Sequence, residues 1–151
     1  MRKSLVFILM SIFLLPTVSS IAFAEKRTFP EWDACMESNN KNGDYSDYSM
    51  RMCAAEEHTR QKARMDIAYN KLLQQIANDE YDENSNKLKA LVKSQQAWVT
   101  YTEEYSDFIT IGEGTLGMHV SIVWLVHATA ERADDLEIEL IDTETTETDA
   151  D

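Results

Sequence analysis

"HVSIVWLVHATAERADDLEIEL", His119 to Leu140, decides the fold class. Its first half is rich in β-branched residues and passes for a buried strand on propensity alone. From Thr129 onward, however, apolar positions recur at three- and four-residue steps, and no second strand-like segment exists elsewhere to pair with a lone strand. The stretch therefore reads as a helix, with Ile122, Leu125, Thr129, Ala133, Leu136 and Leu140 toward a core.

Working back toward the N-terminus, "IGEGTLG" from Ile111 to Gly117 holds three of the chain's four glycines and reads as a loop. Before it, Leu88, Leu91, Val92, Gln95, Trp98, Val99, Thr102 and Tyr105 share one broad helical face. The polar run "NDEYDENSN", Asn78 to Asn86, separates that helix from an earlier one. There Ala54, His58, Gln61, Met65, Tyr69, Leu72 and Ile76 form a stripe, with Ser46 or Asp47 placed to cap its start. Pro30-Glu31-Trp32 opens a short helix, which the turn-forming "SNNKNGD", Ser38 to Asp44, ends. With so few glycines and prolines the helices should be long, and the expected fold is all-α, an antiparallel three-helix bundle with a short N-terminal helix.

The segment ahead of that fold has the parts of a secretory signal peptide. Met1-Arg2-Lys3 is positive, Leu5 to Leu15 is apolar apart from Ser11, and Ala22-Phe23-Ala24 fits a cleavage site. The apolar run falls short of the roughly 20 residues that span a hydrocarbon core. The expected organisation is a leader over 1–24, a helical domain over 25–141 and an acidic disordered tail, "DTETTETDAD", over 142–151. No stable membrane anchor should remain after cleavage, and the product should be periplasmic or secreted.

Export makes an oxidised pair of the only two cysteines, Cys35 and Cys53. No histidine stands near either to complete a metal site, and a thioredoxin-type pair would be two residues apart. A disulfide that pins the short helix to the first long one is the reading that remains.

The formal net charge is −13, and loss of Arg2 and Lys3 with the leader would make it more negative still. Such a surface repels nucleic acid and favours basic partners, although charge of this kind also serves solubility alone. His58, His119 and His127 show no metal-binding spacing, so no metal or cofactor is expected. Glu103, Glu104 and Asp107 cluster on one helix, as a solvated face commonly does. No catalytic group stands out, and the chain does not read as an enzyme. Trp98, Tyr101, Tyr105, Phe108 and Trp124 read as core and groove wall, while Tyr45, Tyr48 and Tyr81 read as surface aromatics in polar loops. With Gly112, Glu113 and Gly114 of the glycine-rich loop, Tyr45 and Tyr48 are the candidate partner-binding positions.

The succession "RMCAAEE", "ARMDIAYNKLL", "LVKSQQAWVTYTEEY", "GEGT" and "TAERADDLEIEL" resembles the secreted LprI-type lysozyme-inhibitor domain family. The resemblance places Asp66, Tyr69, Gln95, Trp98, Tyr101, Gly114, Thr115 and Arg132 on pattern positions, all of them scaffold residues in the helical reading. It also allows Arg132 to pair with a carboxylate such as Asp66. Many members resemble a two-disulfide pattern, and the places of the further cysteines fall here near Ser106 and Trp124. An arginine common in the pattern is Thr102 here.

The resemblance implies a non-catalytic protein that binds a basic lysozyme or another cell-wall hydrolase. The alternative is a structural or small-ligand-binding envelope module without an enzyme target.

Overall fold

The computed structural model describes residues 27–78 and 84–148, so the leader read at 1–24 and Tyr81 lie outside the described residues. Four helices and no strand occur among them: α1 (Pro30–Lys41), α2 (Asp47–Asn78), α3 (Asn84–Thr110) and α4 (Gly114–Thr148). The strand-like first half of the deciding stretch is helical, because its partner surface is another helix and tertiary packing overrides β propensity.

Each boundary has a local cause. Pro30 at the start of α1 supplies a preset φ where its missing N–H costs nothing. At the other end Asp44 N–H donates to Asn39 O and Gly43 N–H to Asn40 O, with Gly43 at φ +72°. That pattern is a Schellman stop, and glycine supplies the left-handed residue it needs. Ser46 is the cap of α2, since its Oγ accepts the Ser49 N–H at 3.2 Å.

The glycine-rich stretch is not all loop. Only Ile111–Glu113 lies between helices, Gly112 takes φ +82°, and Gly114, Thr115 and Gly117 already belong to α4. A Cβ on Gly117 would stand 3.0 Å from Thr110 Cα and 3.1 Å from Thr110 O, so the glycine is there for close packing of α4 on the end of α3. At the far end α4 runs to Thr148, which makes helix of a segment that reads as disordered tail from Asp142. No glycine or proline follows Gly117, so nothing in the sequence stops the helix.

The core lies mainly between α2 and α4. Met65, Ala68 and Leu72 of α2 pack with Ala133 and Leu136 of α4, and Tyr69, Leu91, Trp98 and Leu140 close over them. A second cluster joins Phe29 to Ala54, Val126 and Ala130, with Trp32 against it. The alternation of small and large residues lets the two long helices approach closely. They run side by side in the same direction, because Asp47 meets His119 and Arg64 meets Asp134. By contrast α3 runs against α4, with Gln95 beside Arg132 and Ser106 beside Ser121. Among the described residues of α3 the buried ones reduce to Thr102, so α3 is the least deeply held of the three long helices.

The α2–α4 seam also carries ions. Arg64 Nε donates to Glu137 Oε1 at 2.7 Å and its Nη2 to Asp134 Oδ1 at 2.5 Å, while Arg27 also pairs with Asp134. All four side chains keep about a third of their surface in water, so screening leaves each pair little energy. Arg64→Ala is expected to cost about 1 kcal/mol in chemical denaturation. Most of that loss should disappear in a background where Asp134 and Glu137 are already amides.

Cys35 and Cys53 are bridged, with Cα atoms 5.7 Å apart. Cys53 is fully buried, and α1 itself buries no residue, so the bridge is the firmest attachment α1 has.

Candidate functional site

The antiparallel packing of α3 on α4 gathers two connections at one end of the molecule. The start of α2 meets the start of α4, with Arg51 Nη1 3.7 Å from Met118 Sδ and Asp47 facing His119. The α1–α2 turn and the α3–α4 turn therefore share that end. Of the expected partner-binding residues, Tyr45 is exposed in the α1–α2 turn and Gly112 and Glu113 lie in the α3–α4 turn, while Gly114 is already the first residue of α4. Tyr48 is exposed as well, but it stands in the first turn of α2 and not in a loop.

The α3–α4 connection is too short to be a finger. What it presents instead is apolar: Phe108 is 67% exposed and Ile111 76%, with Leu116 and Val120 also exposed. These side chains and Ile109 and Glu113 line a shallow hollow of about 440 Å³. Glu104 stands one turn before Phe108 on the same face of α3, so carboxylates flank the apolar tip. Phe108, read from sequence as core or groove wall, is thus a surface residue. Gly117 of α4 packs on α3 as far out as Thr110 yet leaves the Phe108 ring uncovered, and the apolar Phe108, Ile109 and Ile111 so close to Gly112 were the available signal.

The residues on family pattern positions divide differently. Asp66, Tyr69, Gln95 and Trp98 line a cavity of about 710 Å³ between α2, α3 and α4. Arg132 does not reach Asp66; its Nε donates to Gln95 Oε1 at 3.0 Å and its Nη2 to Ser94 Oγ at 3.0 Å. Asp66 is held instead by Lys62 Nζ at 2.8 Å, one turn away on α2. The shorter local pair forms because both ends belong to one helix face. Tyr101 is half exposed, stacked on Tyr105 and edge-on to Trp124, and so covers the α3–α4 seam from outside. Gly114 and Thr115 form the exposed first turn of α4.

Sequence reasoning missed two polar features. Ser106 and Ser121 face each other across α3 and α4 with their hydroxyl oxygens 2.5 Å apart. Glu57, at 1% exposure, is satisfied within its own helix by Arg60 Nε at 2.9 Å and Gln61 Nε2 at 2.7 Å.

His58 lines the cavity, and burial first, then the Lys62 cation, push its pKa below the ordinary 6.5. His127, against the ring of Phe29, is lowered too, by burial and by Arg27, with Glu131 opposing. For a histidine depressed in the fold, the unfolded chain takes up the proton first as pH falls. Stability present above the ordinary histidine pKa is therefore lost as pH drops through and below it. The Tm should fall between about pH 7 and about pH 5, and His58→Gln should reduce that slope.

No group of side chains that could hold a metal ion occurs among the described residues, and no described helix is long and apolar enough to cross a membrane. The described structure is a disulfide-stapled helical domain with an apolar, acid-flanked end. The family model for the lysozyme inhibitor LprI matches residues 35–136, well over half of the chain, and the protein belongs to that family. No curated protein and no solved structure matches it significantly.

Proposed function

We propose that the protein is exported by its N-terminal leader and inhibits a basic cell-wall hydrolase of the lysozyme class, using the end formed by the α3–α4 turn. Membership of the inhibitor family supplies the target class. The observation that carries the choice of face is the exposed set Phe108, Ile111, Leu116 and Val120 beside Glu104 and Glu113. Contiguous exposed apolar side chains mark interaction surfaces, and an aromatic among them is a natural anchor. The chain's net charge of −13 would speed encounter with a cationic enzyme, while the apolar contact would hold the complex. Tyr45 and Tyr48 extend the same end and would add rim contacts.

Titration of the disulfide-bonded protein against several lysozymes, at low and near-physiological salt, tests this reading. One-to-one inhibition that survives moderate salt is expected. The doubly substituted Ile111→Ser/Leu116→Ser protein should keep its Tm and lose about tenfold or more in affinity, since both side chains are already in water. Absence of association at low salt across the panel would overturn the proposal. The alternative of a small-ligand module draws on a different observation, the cavity between α2, α3 and α4.

A further inference from the structure

That cavity has no part in the hydrolase reading, yet it is built like a ligand site. Its volume of about 710 Å³ lies within the roughly 300–1,000 Å³ typical of small-molecule pockets. Met65, Trp98, Val99 and Leu125 supply apolar wall.

Its polar groups are incompletely used. Thr129 lines the cavity at 1% exposure, and its Oγ1 has no hydrogen-bond partner. Buried hydroxyls are ordinarily satisfied, so an orphan beside a cavity marks a place for a polar atom not supplied by the protein. Gln95 accepts from Arg132 through Oε1, which leaves its amide N–H groups only the Met65 sulfur at 3.6 Å, a weak acceptor.

Charge at the cavity is one-sided. Glu103 and Asp107 stand one turn apart on α3, both line the cavity, and neither pairs with a cation among the described residues. Lys62, the lysine at the cavity, is already taken by Asp66. His58, its pKa lowered by burial, adds no positive charge at neutral pH. An anion would meet unpaired carboxylates, whereas a cation would relieve their mutual repulsion and could lie against the Trp98 ring.

We propose that the cavity between α2, α3 and α4 binds a small amphipathic organic cation. Its ammonium group sits at Glu103 and Asp107, its hydrocarbon lies along Trp98 and Leu125, and a hydroxyl or carbonyl reaches Thr129 and Gln95. The proposal is independent of hydrolase inhibition, and it gives the domain a ligand even if no lysozyme binds.

Nuclear magnetic resonance titration of the disulfide-bonded protein with 6-amino-1-hexanol, hexylamine and hexanoate tests it. Both amines should give saturable, one-site shift changes centred on the cavity, with 6-amino-1-hexanol several-fold tighter than hexylamine, and hexanoate should give none. Thr129→Val should erase the difference between the two amines, and Glu103→Gln, a change at an exposed position, should weaken both by about fivefold. Equal response to hexanoate, shifts scattered away from the cavity, or amine binding indifferent to Glu103→Gln would overturn the proposal. Should Thr129→Val not fold, the Glu103→Gln and hexanoate comparisons decide alone.

Discussion

Replacing both Cys35 and Cys53 with serine is expected to lower the unfolding free energy by about 3 kcal/mol, the chain-entropy value for a loop of this length. The bridge spans a sequence separation of 18 and cross-links α1 to α2. Helix α1 has 12 residues and buries none of them, and an isolated helix of that length is marginal in water. Its other anchors are the Asn39 amide, which donates to Ser49 O and Cys53 Sγ, and the Phe29 ring packed against Ala54 and Val126. The loss should therefore have a local signature. Circular dichroism of the serine variant should show helix missing in an amount matching α1, and hydrogen exchange should open at residues 30–41 while the Met65–Leu136 core stays protected. A variant as stable as the native protein would mean that α1 is held by its side-chain contacts alone.

The opposite effect is expected at the other seam. Ser106→Cys combined with Ser121→Cys should form a second disulfide and raise stability by about 3 kcal/mol under oxidising conditions. The two hydroxyls are 2.5 Å apart across α3 and α4, at a sequence separation of 15. This is also the region where the resemblance assigns a further cysteine pair, with Ser121 one helical turn ahead of Trp124. The gain should appear largely as slower local opening of α3, the long helix with fewest buried residues, and should vanish on reduction. Failure of the cysteines to join without added force would show that the serine pair does not mark a bridging position.

Much of the fold was legible because its signals are local or periodic. The α2 stripe from Ala54 through Met65 and Leu72 to Ile76 is the buried stripe of the structure, and Thr129, Ala133 and Leu136 are buried on α4 as their spacing implies. The turn at Gly43 and the cap at Ser46 follow from the chemistry of single residues. The illegible parts depend on which helix covers which. Nothing in the spacing of Phe108 says that α4 leaves its ring uncovered, and the glycine cluster hides that Gly117 serves packing while Gly112 serves the turn. Arg132 finds Gln95 and not Asp66 because α3, not α2, lies nearest its guanidinium, a fact of helix arrangement that composition does not encode. The cavity is not legible either, because its walls come from three helices and Thr129, whose hydroxyl is unpartnered there, reads as an ordinary core position in sequence.

The face proposed to hold a lysozyme is the apolar, acid-flanked end of the bundle. Hydrogen exchange of the disulfide-bonded protein, with and without a bound lysozyme at near-physiological salt, tests it most directly. The expected result is protection concentrated on residues 108–120, with a weaker effect at 45–48, and no change along the cavity face of α2. Protection confined to that cavity face, or none at the α3–α4 turn while the enzyme remains inhibited, would overturn the assignment of that end as the binding face.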